Sequence, residues 1–527
     1  MGRRSITDGL VSRRQRERLV GPEGFAPGPA RVAMVYPSPY RAGMSSLGYQ
    51  RIIALLRAGG LSVERVFLPD DVAQHDQSRV PPLSVETLTP LDQFPLLAVS
   101  FAYETELIGL FDLLRLARIP LRRADRGPDH PRILLGGPIS MASPAFLAEF
   151  VDAAVLGEGE DTALTAAASF FDAETRDGWL DAIEALPGGW VPERHGARFP
   201  EATTASDRHL PARSLWLAPD AELSDMFLIE GERGCHRMCS FCVMRRTTHG
   251  GMRLVPPDEI LSYVPDEAAK VGLVGAAISD HPQLVGLIDT LVGAGKRVSL
   301  SSLRADQIAR KPDIARLLAA SGARSLTTAS DGASERIRRQ LKKTTTEAHL
   351  LECARQAADV GFSHFKLYMV IGVPGETADD LDELARFTRE LAAACRPARL
   401  VMGIAPFVAK RQTPLDGAPF AGMKEIDRRM KRLTKALKGA VEIRPVSSRW
   451  AWIEYELAQG GPEAGLAMLE GYAAGGRFAD YRRALQAVDP TTQRPWLAHE
   501  APLVDPVMRR VTPGRRTGPA STAPASR

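Results

Sequence analysis

Short apolar runs alternate with helical segments along most of this 527-residue chain, and this alternation restricts the fold to the α/β class. The first alternation contains the strand-like runs RVAMVYP, LSVERVFLP, PLLAVSFAYE, RILLGGP and FVDAAVLGEGE. Such runs with helices between them predict a doubly wound, Rossmann-like domain over residues 31–172. Ligands of such sheets bind at the carboxyl ends of the strands, where we predict the loops 38–48, 100–105, 136–140 and 157–160. A single glycine there is more often a turn residue, but four such loops together predict a small-molecule cleft.

A second alternation follows a connector over residues 173–224. Its strand-like runs are MFLIEG, GLVGAAISD, KRVSLSSL, ARSLTTASD, FKLYMVIG and RLVMGIAPF. These β/α units predict a partial (β/α)6 barrel of the TIM type over residues 225–410, with its chemistry at the carboxyl ends of the strands. Residues 411–505 predict a small helical C-terminal region. The Arg-, Gly- and Pro-rich residues 1–30 predict a flexible basic arm, and residues 506–527 predict a disordered tail.

Composition excludes several classes of protein. With 44% hydrophobic and 25% charged residues, the chain can bury proper cores and is neither disordered nor fibrous. The net charge of +4 is small for this length and favours neither a nucleic-acid-binding surface nor an acidic substrate. The sequence has no apolar run of membrane-spanning length and no secretory signal, so we expect a cytoplasmic protein without a membrane partner. Cys353 and Cys395 stand alone in helical patterns, which predicts buried small side chains rather than disulfide partners.

The other three cysteines crowd into one short loop. Cys235, Cys239 and Cys242 follow the strand-like run MFLIEG with the spacing C-x3-C-x2-C. A structural zinc site usually takes four protein ligands, so a fourth would have to come from His236, His249 or elsewhere. Three thiolates on one loop suit three corners of a 4Fe-4S cluster and leave one iron open to an external ligand.

The segment GCHRMCSFC, placed after the first strand of a β/α barrel, resembles the radical S-adenosylmethionine (SAM) superfamily. The resemblance implies that the three cysteines bind a 4Fe-4S cluster whose free iron chelates the methionine part of SAM. Electron transfer to the sulfonium then releases a 5′-deoxyadenosyl radical. The later segments SSLRAD, SLTTASDGASERIRRQLKK and FKLYMVIGVPGET are also similar to segments of this family. By this resemblance the SAM-binding residues are Phe241, Asp280, Ser302, Arg304, Asp331, Ser334, Gly372 and Glu376.

Some of these positions depart from the family pattern. Ser279, Asp280 and His281 stand where many members carry Gly-Gly-Glu, so Asp280 is expected to hold the SAM amino group with a shorter side chain. Asp331 stands where Glu is commoner. An ordinary helix N-cap is the alternative explanation for Ser334.

A doubly wound sheet before such a barrel resembles the cobalamin-binding subgroup of the radical SAM superfamily. The resemblance assigns cobalamin-binding positions to Ser38, Tyr40, Gly43, Ser100, Gly136, Gly137, Gly157 and Gly159. The usual D-x-H-x-x-G motif is missing and Tyr40 falls on the place of its histidine, so we expect a cobalamin without a histidine lower ligand. Tyr103 and Glu104 are further candidate cleft residues. A domain that has kept this fold and lost the cofactor is the alternative.

The resemblance implies a radical SAM enzyme that methylates an unactivated carbon with cobalamin, in which cobalt and cluster face each other across two stacked domains. A one-electron reductant such as ferredoxin or flavodoxin is the expected partner, and the substrate is a small molecule or a protein side chain. No individual catalytic residue is assigned. The alternatives are a radical SAM enzyme of non-methylating type, acting in rearrangement, cyclisation or RNA modification, and a non-enzymatic iron-sulfur or zinc protein. The basic stretch RRMKRLTKALK is the feature that would suit RNA, although such stretches are usually solvated surface and nucleic acid is not expected.

Overall fold

The computed structural model describes residues 3–244, 251–301 and 303–488. Ser302, His249 and the predicted tail lie outside the described residues. No helix among the described residues is long and apolar enough to cross a membrane.

In the described residues the N-terminal domain is built on a six-stranded sheet. Across the sheet, its strands are Ser62–Leu68, Arg31–Pro39, Leu96–Ser100, Arg132–Gly136, Ala153–Val155 and Gly189–Trp190. Neighbouring strands pair in parallel, except that Gly189–Trp190 runs antiparallel to Ala153–Val155. The five predicted strands are therefore confirmed. The sixth comes from the predicted connector, where two residues are too few to show a strand pattern in the sequence.

Helices cover both faces of this sheet, which explains why its strands read as continuous apolar runs. The helices of the domain are Tyr40–Gly43, Leu47–Ala58, Val72–Ser78, Glu106–Leu116, Ala163–Asp172, Arg176–Glu184 and Pro192–His195. The strand order reverses between Arg31–Pro39 and Leu96–Ser100, and such a switch point is where doubly wound sheets bind ligands.

The predicted flexible arm is ordered, which corrects the prediction. Residues Arg3–Arg16 form a helix, and Arg18–Leu19 pairs antiparallel with Trp216–Leu217. Between them the buried Glu17 carboxylate accepts hydrogen bonds from Arg65 Nη1 at 2.8 Å and Nη2 at 2.7 Å. Arg65 also pairs with the buried Glu86 at 2.7 Å, and Glu17 accepts from the two nitrogens that Glu86 leaves available, which fixes the arm through a contact that no local pattern in the sequence could predict.

The predicted barrel is confirmed as a partial one. Strands Met226–Glu230, Lys270–Val274 and Arg297–Leu300 form one parallel sheet in the described part of the chain. A second parallel sheet, again among described residues, contains Ser325–Ala329, His364–Ile371, Arg399–Pro406 and Glu442–Pro445. The last of these was not predicted, because it is an exposed edge strand that ends in proline. Residues Glu232–Gly234 and Met252–Leu254 form a β-hairpin at the end of the first barrel strand.

Helices pack on the outside of the barrel around a shared core. They are Pro257–Tyr263, Leu284–Gly293, Ala305–Arg310, Asp313–Ala320, Glu335–Gln340, Glu347–Asp359 and Ala378–Ala394. The helical C-terminal region contains Met423–Ala436, Ser448–Gln459, Pro462–Ala473 and Phe478–Ala487. Residues of its last three helices, among them Ile453, Met468 and Tyr481, join the core on one face of the N-terminal sheet. The C-terminal region therefore ties the end of the chain to the N-terminal domain.

Candidate functional site

The cysteine loop begins directly after the first strand of the hairpin, Glu232–Gly234, and precedes its second strand, Met252–Leu254. Gly234 ends the first hairpin strand with φ +92°, and Cys235, Cys239 and Cys242 follow as half-buried cysteines. The backbone N–H of Arg237 donates to the Cys235 sulfur at 3.4 Å. Burial raises the pKa of the Cys235 thiol, so its deprotonation needs a metal or another positive charge.

The three thiols suit a cluster rather than a single ion. Among the described residues, no three His, Cys, Asp or Glu side chains converge closely enough to hold one metal ion. A cubane cluster makes a different demand, because its three cysteines bind three different irons and do not meet at one point. Three partly exposed thiols on one loop, with a backbone donor to a sulfur, fit that demand.

The structure brings Asp280 and Arg304 to the cysteine loop, as the sequence predicts. The carboxylate of Asp280, however, accepts hydrogen bonds from Arg237 Nε at 2.9 Å and Nη2 at 2.6 Å, and Arg304 Nε lies 3.9 Å from it. Burial opposes ionisation of Asp280, but the hydrogen bonds and charge of Arg237 outweigh it and hold the pKa of this carboxyl below its usual range. Asp280 therefore lies beside the cysteine loop but is already engaged by an arginine of that loop.

A second group of predicted SAM-binding residues meets at the end of the fifth barrel strand, His364–Ile371. The carboxylate of Glu376 is fully buried, and its Oε1 accepts from the Gly372 backbone N–H at 2.9 Å and from Arg429. Its Oε2 has no hydrogen-bond partner among the described residues. Burial raises the pKa of Glu376 despite these partners. Phe241 of the cysteine loop packs against the same corner.

The two predicted residues of the fourth-strand segment, Asp331 and Ser334, have local roles. Ser334 caps the helix Glu335–Gln340, since its Oγ accepts the Ile337 N–H at 3.1 Å, so the N-cap alternative is confirmed. Asp331 adopts φ +61° and pairs with Lys343.

A cavity of about 370 Å³ lies between the carboxyl ends of the N-terminal sheet and the hairpin of the barrel. We call it the inter-domain cavity. Its lining includes the predicted residues Ser100, Gly136, Gly137, Gly157 and Gly159. Apolar side chains such as Tyr49 and Leu134 form much of its wall, and Glu230, Arg233 and Met244 close it on the barrel side. The barrel residues of the lining were not predicted; Gly48, which also lines the cavity, is the last residue of the predicted loop 38–48 but was not named as a binding residue.

The glycines of the inter-domain cavity fall into two kinds. Gly137 has φ +96° and Gly157 has φ +97°, and a Cβ atom on either would lie within 2.6 Å of a backbone oxygen, so turn geometry explains both. A Cβ atom on Gly48 or Gly136 would meet no described heavy atom within 4 Å beyond its own helix and chain neighbours. Backbone geometry does not require glycine at these two positions. Their missing side chains instead leave open space in the cavity, as a bulky flat ligand would need.

The structure does not bring Ser38, Tyr40 and Gly43 to this cavity. Ser38 Oγ donates to Glu106 at 2.8 Å, and a Cβ atom on Gly43 would strike the Phe67 ring at 2.4 Å. The Tyr40 ring is buried and its hydroxyl donates to Glu17 of the arm, so its side chain points into the core rather than into the cleft.

The other two candidate cleft residues, Tyr103 and Glu104, lie at the contact between the domains. Tyr103 is exposed, whereas the buried Glu104 accepts hydrogen bonds at 2.8 Å from Lys410, which follows the last long barrel strand. Lys410 also donates to Glu454 of the C-terminal helices at 2.8 Å. This ammonium group therefore joins all three parts of the fold.

Comparisons with known proteins agree with this geometry. A family model described as radical SAM proteins, N-terminal, matches residues 48–192, and one described as the radical SAM superfamily matches residues 229–388. The uncharacterized protein MJ0966 of Methanocaldococcus jannaschii is 24% identical over 418 residues, which cover 77% of this chain and 83% of that protein.

The fold is also similar to that of the cobalamin-dependent S-adenosylmethionine radical enzyme OxsB. Its apo structure matches with a TM-score of 0.50 and 14% identity over 77% of this chain and 55% of OxsB. Its structure with aqua-cobalamin bound gives a TM-score of 0.49 and 14% identity over 68% of this chain and 52% of OxsB. The chain thus spans about half the length of OxsB, and the likeness at this identity is one of fold. The two family models show that the chain belongs to the radical SAM superfamily, with its N-terminal domain and its barrel each matched by a model of these proteins.

Proposed function

We propose that this protein cleaves SAM reductively at a 4Fe-4S cluster and methylates an unactivated carbon with the help of bound cobalamin. The cluster would supply the electron that splits SAM into methionine and a 5′-deoxyadenosyl radical, and cobalamin would carry the methyl group. One observation carries the proposal: the inter-domain cavity is walled by the glycine loops of the N-terminal sheet on one side and by the hairpin that leads into the cysteines on the other.

The residues of the chain would divide the work between two sites. Cys235, Cys239 and Cys242 would bind three irons, and the N–H of Arg237 would lower the electron density on the first sulfur. In the inter-domain cavity, Gly48 and Gly136 leave the space into which the nucleotide tail of cobalamin would fit.

The two carboxylates assigned to SAM would have different roles. Glu376 offers the adenosine part a buried acceptor that is free in the described structure. Asp280, held by Arg237, would reach the SAM amino group only if that arginine moved or shared it.

The remaining features follow the same proposal. Because Tyr40 stands at the place of the usual histidine, the cobalamin would be bound without a histidine lower ligand from that loop. A ferredoxin or flavodoxin would supply the electron. The fold shared with OxsB supports a cobalamin-dependent reaction. The expected products are methionine and 5′-deoxyadenosine from one SAM, and S-adenosylhomocysteine from the SAM that donates the methyl group.

The proposal is tested by anaerobic reconstitution with iron and sulfide, followed by dithionite, SAM and hydroxocobalamin. For wild-type protein, mass spectrometry should detect 5′-deoxyadenosine in every reduced sample and S-adenosylhomocysteine only in samples that contain cobalamin. The variant with Cys235, Cys239 and Cys242 replaced by Ala should form neither product, whereas the control Cys353→Ala should form both, because Cys353 is buried in the barrel core.

Two results would contradict the proposal in different ways. Absence of 5′-deoxyadenosine from the reduced, reconstituted protein would exclude radical SAM cleavage. Formation of 5′-deoxyadenosine without cobalamin binding or S-adenosylhomocysteine would favour a radical SAM enzyme of the non-methylating type.

A further inference from the structure

The two walls of the inter-domain cavity are joined by a network of buried charges. We call Glu158, Glu160, Glu230, Arg233 and Arg253 the Arg233 network. Glu158 and Glu160 belong to the glycine loop after the fifth strand of the N-terminal sheet. Glu230 ends the first barrel strand, and Arg233 and Arg253 lie on the two strands of the hairpin. The network therefore spans both domains.

Arg233 lies at the centre of this network. Its Nε and Nη2 donate to the Glu230 carboxylate at 2.8 and 2.7 Å, and its Nη1 lies 2.6 Å from Glu160 and 3.6 Å from Glu158. Arg253 donates to both oxygens of Glu158, at 2.6 and 2.5 Å. All five side chains are largely shielded from water, so these contacts are weakly screened.

The hairpin depends on the carboxylates of the N-terminal domain. In the hairpin register Arg233 stands directly opposite Arg253, and like charges in such a cross-strand pair repel each other. Glu158 contacts both guanidinium groups and offsets this repulsion. The hairpin and the glycine loop therefore hold each other in position through these ion pairs.

The cysteine loop lies inside the same segment. Arg233 stands two residues before Cys235 and Met244 stands two residues after Cys242, and both Arg233 and Met244 line the inter-domain cavity. A ligand in this cavity therefore touches the cysteine-bearing segment at both ends as well as the glycine loop. If a cluster holds the cysteine loop in one conformation, it also restricts the positions of these two residues in the wall of the cavity.

We propose that cluster assembly and cobalamin binding are coupled through Arg233, which acts as a positioning residue for both. This inference rests on the proposed function. A bound cluster fixes the cysteine loop and thereby the hairpin that carries Arg233. The hairpin arginines pair with Glu158 and Glu160, and these carboxylates fix the glycine loop against the cobalamin. By linkage the effect is reciprocal, so bound cobalamin also retains the cluster.

The test is a titration of hydroxocobalamin, followed by absorbance, into cluster-loaded protein and into the variant with all three loop cysteines replaced by Ala. We expect cobalamin to bind the loaded protein roughly tenfold more tightly, within the 5- to 150-fold range typical of coupled sites. In cluster-loaded Arg233→Gln the affinity should fall to that of the variant without the three loop cysteines. The second readout is the rate at which an iron chelator strips the cluster, which cobalamin should slow in wild type but not in Arg233→Gln.

Two further variants separate coupling from folding. Arg233→Lys keeps the charge and should restore part of the coupling. Arg194→Gln removes another guanidinium that pairs with two carboxylates, Asp181 and Glu184, on the exposed surface of the N-terminal domain, and should leave the coupling intact. Equal cobalamin affinity with and without the cluster, or unchanged coupling in Arg233→Gln, would overturn the inference alone. No cobalamin binding by cluster-loaded wild type would overturn both it and the proposed function.

Discussion

Two neighbouring glycines of the inter-domain cavity should respond in opposite ways to a side chain. Gly136 has an ordinary backbone conformation, and a Cβ atom there would meet no described heavy atom within 4 Å beyond its chain neighbours. Gly137 has φ +96° and ψ 178°, a conformation that is nearly restricted to glycine, and a Cβ atom would lie 2.6 Å from the Phe101 backbone oxygen. Gly136 therefore leaves space in the cavity, whereas Gly137 is required by the backbone conformation of the turn.

The magnitudes follow from these contacts. Gly136→Ala should raise the free energy of unfolding by about 0.4–1 kcal/mol, because it removes freedom from the unfolded chain without a clash. Gly137→Ala should lower it by about 1–3 kcal/mol from backbone strain, with a further loss as Phe101 is displaced. Gly136→Leu should fold and bind the cluster, but its side chain would occupy part of a cavity of only about 370 Å³. We expect its affinity for cobalamin to fall at least roughly tenfold, equivalent to about 1.4 kcal/mol.

Urea denaturation and a hydroxocobalamin titration measure both effects on the same proteins. A Gly136→Leu protein that binds cobalamin as wild type does would refute the assignment of this cavity to cobalamin. A marked loss of stability in Gly136→Ala would refute the claim that a side chain at this position meets open space.

Three further predictions concern the hairpin, the arm and the barrel core. Burial raises the pKa of the Glu232 carboxyl to about 7 from an ordinary value of 4.5, so the stability associated with its neutral form is lost as the pH rises between these values. Glu232→Gln should therefore be more stable than wild type at pH 8, by up to roughly 3 kcal/mol, and most of this gain should vanish at pH 5 in thermal denaturation of the cluster-free protein. Glu17→Ala removes two charge-assisted hydrogen bonds from Arg65, which keeps the buried Glu86 as a partner, and should cost about 1.5–3 kcal/mol in denaturant unfolding; a loss under about 1 kcal/mol would show that the arm is not anchored there. Cys353→Ala should leave the iron content unchanged, and a loss of iron would place this cysteine at the cluster.

The sequence predicted the strands that are buried on both faces, because burial on both faces produces an apolar run without alternation. It did not predict Gly189–Trp190, which is too short, or Glu442–Pro445, whose residues lie at an exposed edge. The arm was misread for another reason. Its order depends on the contact between Glu17 and Arg65, which are distant in the sequence and carry no periodic signal.

The sequence predicted the cavity residues best where their positions follow from the ends of the strands. Gly136 and Gly159 follow their strands and line the cavity, as expected. Gly48 ends the predicted loop 38–48 but was not named as a binding residue, although a glycine near the start of an apolar helix is a signal in itself, since it weakens the helix. The role of Arg233 depends on how two domains meet, and single-sequence patterns describe each domain separately.

The metal content of the anaerobically reconstituted protein, after gel filtration with hydroxocobalamin, tests the central claim most directly. The account predicts one cobalt for each 4Fe-4S cluster in wild type, retained iron with lost cobalt in Gly136→Leu, and lost iron when the three loop cysteines are replaced by Ala. A wild-type protein that carries its full iron content and no cobalt would contradict it.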